Sequence, residues 1–184
     1  SAGQTSTANI TAKSLTVSGI TSSNKTYDGN TVATLDASSV AYSGLVSGDT
    51  FNGTYTGAFS NANVGTGKTV TITSSYSGAD TGNYSVTDQS STTADISTKA
   101  LTASASASNK TYDGSTTAST TLTFSGLVGS ETLGQTVGST FDNKNVGIGK
   151  TVTVNSLGFA GTHAVKREED LEIIRKYSPI GILE

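Results

Sequence analysis

The sequence predicts an all-β protein built from tandem antiparallel β modules, and three observations carry that expectation. The stretch Asn24-Lys25-Thr26-Tyr27-Asp28-Gly29 returns letter for letter as Asn109-Lys110-Thr111-Tyr112-Asp113-Gly114. Self-similarity at this spacing marks a repeat architecture, in which the module is the structural unit. Apolar residues fall in short alternating runs between turn clusters: Leu15 and Val17, Val70 and Ile72, Leu122 and Phe124, Val152 and Val154. Period-two alternation of this kind reads as half-buried strands. The bulk of the chain is Ser, Thr, Gly, Asn and Ala, with 33% hydrophobic and 14% charged residues. Threonine suits the exposed face of a strand, and cores this thin leave each module only modestly stable.

Taken in order, residues 1–12 match the end of a repeat, Gln89 to Thr98, and not its beginning. They are expected to be the closing strand of a preceding repeat. Residues 13–97 form one complete repeat. Its landmarks are the hexapeptide, then Ser43-Gly44-Leu45-Val46, then Asn63-Val64-Gly65-Thr66-Gly67-Lys68-Thr69-Val70. Residues 98–162 form a second, incomplete repeat with the same landmarks at Ser125-Gly126-Leu127-Val128 and Asn145-Val146-Gly147-Ile148-Gly149-Lys150-Thr151-Val152. Between hexapeptide and Ser-Gly-Leu-Val the second copy is three residues shorter, and the loop around Asp36 to Ser39 is where they are expected to drop out. The second copy follows the first as far as Gly158-Phe159-Ala160-Gly161-Thr162. Nothing after Thr162 resembles Gly82-Asn83-Tyr84-Ser85-Val86 or the strand that follows it.

Residues 163–184 are a charged tail of different character. The tail holds His163, Pro179, Arg167 and Arg175, residue types found nowhere else in the chain. Leu171, Ile174 and Tyr177 recur at helical spacing, Glu172 can pair with Lys176, and Pro179 supplies a stop. A short C-terminal amphipathic helix over about Val165 to Tyr177 is expected. A fused or spliced segment is the plainer account of this tail, and a cap that seals an open sheet edge is the functional one.

For the module itself, an immunoglobulin-like sandwich is the first expectation. A β-grasp-like or single elongated sheet is the alternative, because no Trp or Cys marks the core.

Candidate chemistry is sparse. Gly65-Thr66-Gly67-Lys68-Thr69 resembles the end of a phosphate-binding loop, but Ala62 stands where the pattern requires glycine. Lys68 also leads into a strand pattern, whereas a phosphate loop opens a helix. The stretch is read as a turn with glycines at positive φ. Tyr27-Asp28-Gly29 and Tyr112-Asp113-Gly114 are read as structural turns. Asp accepts backbone amides, Gly takes positive φ, and Tyr packs against its own module. Calcium ligation by these aspartates is the alternative, but no metal-loop spacing surrounds them. With one His and no Cys, no Ser-His-Asp or Cys-His set and no zinc cluster can be assembled within the modules. The expected catalytic, cofactor-binding and metal residues are therefore none, no cofactor is expected, and the chain is not expected to be an enzyme.

The landmarks in this order, followed by Gly78-Ala79-Asp80-Thr81-Gly82-Asn83-Tyr84, resemble the YDG-type repeat of large bacterial surface proteins, which is related to MBG repeats. The resemblance covers Lys13 to Ser97 in full and Lys99 to Thr162 in part. It implies an exported adhesin of filamentous-haemagglutinin-like type, located outside the cell or on the bacterial surface. Three functions are expected from different classes: an extended stalk, a self-assembling filament subunit joined head to tail through residues 1–12, or a module binding a glycan or protein. Partners are neighbouring repeats, a second copy of the chain, or a host or surface glycan. A net charge of −3 gives no reason to expect nucleic acid, and no apolar run is long enough to span a membrane. The absence of Cys fits a bacterial surface protein better than a disulfide-rich ectodomain.

Overall fold

The computed structural model describes residues 3–160, and the charged tail with its expected helix lies outside the described residues. The chain divides into two compact units, the first ending at Ser97 and the second beginning at Thr98.

The first unit is a two-layer β-sandwich. Its strands are β1 (Lys13–Ser18), β2 (Thr21–Ser22), β3 (Lys25–Thr26), β4 (Val32–Ala33), β5 (Leu35–Asp36), β6 (Ala41–Ser43), β7 (Asn52–Phe59), β8 (Gly65–Ser77), β9 (Tyr84–Thr87) and β10 (Ser91–Ser97). One sheet runs β6-β1-β9, the other β3-β10-β8-β7-β4, and β2 pairs with β5. The alternation read from the sequence places Leu15 and Val17 of β1 and Val70 and Ile72 of β8 in the interior. Val17 and Ile20 meet Ile72 across the two layers, which rules out a single elongated sheet. Leu15, Phe51 and Tyr84 fill one end. Ala33, Phe59, Val70, Ala94 and Ile96 fill the other. Among the described residues the only helical element is one 3-10 turn, Thr81–Asn83, so the β-grasp-like alternative has no helix to hold.

Within these largely antiparallel modules two strand pairs run parallel, a feature that alternation does not encode. β1 and β9 run parallel, as do β3 and β10. The early segment crosses from the first sheet to the second between β1 and β3, and the late segment repeats that crossing between β9 and β10. Two segments making the same crossing side by side must point the same way. All other strand pairs are antiparallel.

The second unit contains β11 (Thr102–Ala107), β12 (Thr117–Ala118), β13 (Thr120–Ser125), β14 (Gly134–Phe141) and β15 (Val152–Ala160). β11 pairs with β13, and β12-β14-β15 form the other sheet. These reproduce β1/β2 on β5/β6 and β4-β7-β8 of the first unit. Counterparts of β9 and β10 are absent among the described residues. The buried apolar residues fall accordingly to Ala103, Ala118 and Leu122.

The length difference between the copies has a structural explanation. In the first unit Ser18 faces Ala41 and Thr21 faces Asp36, so Gly19 and Ile20 lie opposite the turn Ala37–Val40. Gly19 has φ 88°, and a Cβ there would sit 2.3 Å from the Ser39 carbonyl oxygen. The break therefore has two halves, a glycine kink on one strand and a turn on the other. In the second unit both halves are gone. β11 and β13 pair without interruption from Thr102↔Ser125 to Ala107↔Thr120. The three residues missing near Asp36 to Ser39 are matched by one missing at Gly19, and together the deletions restore a continuous register.

Candidate functional site

The repeated hexapeptide folds into a turn organised by its lysine. Lys25 Nζ donates to Asp28 Oδ1 at 2.8 Å, to the Asn30 carbonyl at 2.8 Å, to Asn30 Oδ1 at 3.1 Å and to the Val32 carbonyl at 3.1 Å. The ammonium lies 5.4 Å from the centre of the Phe59 ring. Its side chain is only 16% exposed. An ammonium taken this far out of water must find oxygen partners for its protons, and the turn supplies them. Asp28 Oδ1 also accepts the Asn30 amide at 3.1 Å, and Asn30 Oδ1 accepts the Val32 amide at 2.9 Å. The hydrogen bond from Lys25, then that from the Asn30 amide, hold the Asp28 carboxyl below its usual value. Gly29 closes the turn at φ 79°, a conformation that costs a side-chain-bearing residue energy.

The second copy repeats the arrangement. Lys110 Nζ donates to Asp113 Oδ1 at 2.9 Å, to the Ser115 carbonyl at 2.9 Å and to Ser115 Oγ at 3.0 Å. It lies 5.6 Å from the Phe141 ring centre. Asp113 accepts the Ser115 amide at 2.8 Å. With the Lys110 hydrogen bond the larger cause and the Ser115 amide the next, its carboxyl is held at about 2. Gly114 has φ 75°. In both copies Asp is engaged by an ammonium and a backbone amide inside its own turn.

The tyrosines of the two copies differ, and the expectation of a packed ring at both positions fails at Tyr112. Tyr27 packs against the cluster of Ala33, Phe59, Val70, Ala94 and Ile96, and its amide donates to the Ser97 carbonyl at 2.8 Å. Tyr112 is 59% exposed. The cause is the missing strand: Ala94, Ile96 and Ser97 all belong to β10, and the second unit has no counterpart among the described residues.

A second lysine organises the Asn-Val-Gly-x-Gly-Lys turn. Lys68 Nζ donates to Asn61 Oδ1 at 2.7 Å, and the same oxygen accepts the Asn63 amide at 3.0 Å. Lys150 likewise donates to Asn143 Oδ1, which accepts the Asn145 amide at 3.0 Å. Lys150 also pairs with Asp142 at 2.9 Å. Positive φ occurs at Gly67 and Gly149 but not at Gly65 or Gly147. Lys68 lies within β8 rather than at a helix start, so no amide cradle for phosphate exists here.

Ser43-Gly44-Leu45-Val46 and Gly82-Asn83-Tyr84 prove to be two halves of one contact. The Tyr84 hydroxyl accepts the Val46 amide at 3.0 Å and donates to Asp49 Oδ2 at 2.5 Å. The Asp49 hydrogen bond pushes the Tyr84 hydroxyl up from its usual value. In the second unit Glu131 takes over: its Oε2 accepts the Val128 amide at 3.0 Å. A local carboxylate thus stands where the first unit uses a tyrosine from β9, a strand with no counterpart among the second unit's described residues.

The YDG domain matches residues 11–94 and again residues 97–166. The chain belongs to the YDG domain family. The hexapeptide that holds the family's Tyr-Asp-Gly letters is the lysine-centred turn in both YDG domains of the chain. No curated protein and no solved structure matches the chain. Among the described residues no group of His, Cys, Asp and Glu could hold a metal ion, and no helix is long and apolar enough to cross a membrane.

The sequence reasoning singled out Tyr, Asp and Gly of the motif but missed Lys25 and Lys110. The signal was present in the repeated spacing Lys-x-x-Asp-Gly with an oxygen-bearing side chain next, Asn30 or Ser115.

Proposed function

We propose that the chain is a non-catalytic structural repeat module of a bacterial cell-surface or secreted adhesin, working as part of an extended stalk. One observation carries this reading. The polar groups of the repeated motif are consumed locally, since Lys25 has four oxygen contacts and Lys110 three, all within their own turns or, for the Val32 carbonyl, at the start of β4. A motif repeated for ligand binding would leave such groups pointing outward. Each unit also keeps its own sheets, as expected for an array stabilised by nearest neighbours only.

A glycan- or protein-binding module is the second reading. It is favoured by Tyr112, an aromatic ring exposed in one repeat while Tyr27 is packed in the other. Small-angle scattering at low concentration tests the first reading. A stalk gives a pair-distance distribution with two separated lobes at monomer mass, and a single compact lobe overturns it. Glycan-array and pull-down binding that disappears in Tyr112→Ala would favour the second reading instead.

A further inference from the structure

We propose that the repeated Tyr-Asp-Gly turn is a binding site for a small monovalent cation of the ammonium class, and that the motif's own lysine fills it. Removing the lysine side chain then leaves a cage that takes free ammonium from solution. The proposal goes beyond the stalk role and does not depend on it.

The cage is built independently of its occupant. Four oxygens surround Lys25 Nζ: Asp28 Oδ1 and the Asn30 carbonyl at 2.8 Å, and Asn30 Oδ1 and the Val32 carbonyl at 3.1 Å. Three of them are held by bonds in which the ammonium takes no part: Asp28 Oδ1 accepts the Asn30 amide, Asn30 Oδ1 accepts the Val32 amide, and Val32 pairs with Ala58 across β4 and β7. The chain between Asn30 and Val32 is fixed as well, because the Thr31 carbonyl accepts the Phe59 amide at 2.8 Å. Gly29 sets the turn through its own backbone, at φ 79°. A Lys25→Ala chain therefore keeps its oxygens converging on the place that the ammonium leaves.

The oxygens select the kind of ion. Calcium takes about 6–8 oxygens at about 2.3–2.6 Å, and magnesium demands a shorter octahedral shell. The cage around Lys25 offers fewer oxygens at longer distances. Asp28 supplies its one carboxylate, which a single positive charge balances. The remaining wall is the Phe59 ring, centred 5.4 Å from Nζ. An aromatic face attracts an ammonium through the ring quadrupole and gives a hard divalent ion no ligand. Asp28 is 45% exposed, so the cage opens to water on that side and an ion can enter.

The second copy is a built-in comparison. Lys110 Nζ meets Asp113 Oδ1, the Ser115 carbonyl and Ser115 Oγ, with the Phe141 ring centred 5.6 Å away. Charge and ring are kept and one oxygen is lost, so this cage holds a free cation more weakly. Tethering gives each lysine ammonium an effective concentration that dissolved ions do not match. The unsubstituted chain therefore keeps both turns whatever cations surround it.

The test uses full-length Lys25→Ala, titrated with ammonium chloride and, at equal ionic strength, with tetramethylammonium chloride or calcium chloride. Tetramethylammonium carries the same charge but is larger and has no N–H to donate. Melting of the first unit is followed by tyrosine fluorescence, and the carbonyl and amide shifts of Asp28, Asn30 and Val32 by NMR. Ammonium is expected to raise the melting temperature of Lys25→Ala at least about threefold more than tetramethylammonium, along a saturable curve that the shifts share, as for a ligand bound only by the folded state. The unsubstituted chain should respond equally to the two salts. So should Lys25→Met, which leaves an apolar stem in the cage. In Lys110→Ala the shifts of Asp113 and Ser115 should need more ammonium to saturate. Equal responses of Lys25→Ala to ammonium and tetramethylammonium overturn the proposal. So does a larger rescue by calcium, or an ammonium effect of the same size in Lys25→Met. If Lys25→Ala is unfolded in tetramethylammonium, folding itself becomes the readout, and a chain that stays unfolded in ammonium also overturns the proposal.

Discussion

The two-part break in the first unit makes a sharp prediction about deletions. In the present fold the burial along residues 15–22 alternates until Ser18, pauses at Gly19, and resumes with buried Ile20. Removing Gly19 makes the alternation continuous. On the facing strand, Leu35, Val40 and Tyr42 are half-buried while Asp36, Ala41 and Ser43 are exposed, so removing Ala37, Ser38 and Ser39 also makes that strand continuous. The joint deletion then pairs Ser18 with Ala41, Ile20 with Val40 and Thr21 with Asp36, the uninterrupted register seen between β11 and β13. Deleting Gly19 alone keeps the turn and brings a Cβ-bearing residue to the place where the Ser39 carbonyl would lie 2.3 Å from such an atom. Relief requires moving the turn or displacing Ile20, which is 1% exposed. Losing that burial costs about 2 kcal/mol. At about 4–8 °C per kcal/mol for a unit of this size, the single deletion should lower the melting temperature of the first unit by roughly 8–16 °C. The joint deletion should recover most of that loss, a coupling of about 1–3 kcal/mol in the double-mutant cycle. Urea and thermal unfolding followed by tyrosine fluorescence provide the assay, because Tyr27, Tyr42, Tyr55, Tyr76 and Tyr84 all lie in the first unit. A joint deletion as costly as the two separate deletions added together would show that the break is not one coupled device.

Three further outcomes are expected. Gly29→Val should destabilise the first unit by about 1 kcal/mol or more, because φ is 79° there, and unchanged melting would mean that the turn does not require glycine. Ile96→Ala should cost about 3 kcal/mol and expose Tyr27 to the extent now seen at Tyr112, measurable as increased iodide quenching of tyrosine fluorescence; a cost below about 1 kcal/mol would contradict the packing of β10. The Asp113 carboxyl should titrate at about 2 rather than 3.8. A folded value below the unfolded one means that the carboxylate's contribution is present above pH 3.8 and is lost as pH falls toward 2. Carbon-detected NMR should show that midpoint, and Lys110→Met should bring it back toward the ordinary value.

The fold class was legible because alternation at Leu15/Val17, Val70/Ile72 and Leu122/Phe124 states directly which residues face inward. Alternation says nothing about which strand lies beside which, so the parallel pairing of β1 with β9 and β3 with β10 could not be read from it. The repeat match breaks off after Thr162, and counterparts of β9 and β10 are absent among the described residues, which end at Ala160. The consequence for Tyr112 was not legible, because the identical hexapeptides suggested identical environments. A side chain is buried by what surrounds it, and Tyr27 is seated by residues some seventy positions downstream, at Ala94 and Ile96. Lys25 was passed over because lysine in a polar turn is ordinarily solvated, and only the local geometry shows its ammonium turned inward.

The lysine-centred turns also explain how units with so little core and no Cys keep their loops in place. A disulfide would fix a loop through a covalent bond, and a larger core would fix it through burial. Neither is present here. Instead Lys25 bridges the Asp28 carboxylate and the Asn30 and Val32 carbonyls, tying the turn to the start of β4 over the face of Phe59 in β7. The bonds are charge-assisted, which roughly doubles their strength relative to neutral ones. They are also local in sequence, so they form within one unit whatever the neighbouring unit contains. Lys110 keeps nearly the same bonds in a unit that lacks two strands among its described residues. The turn is therefore the self-sufficient part of the repeat, whereas the packing of Tyr27 depends on Ala94 and Ile96 of β10.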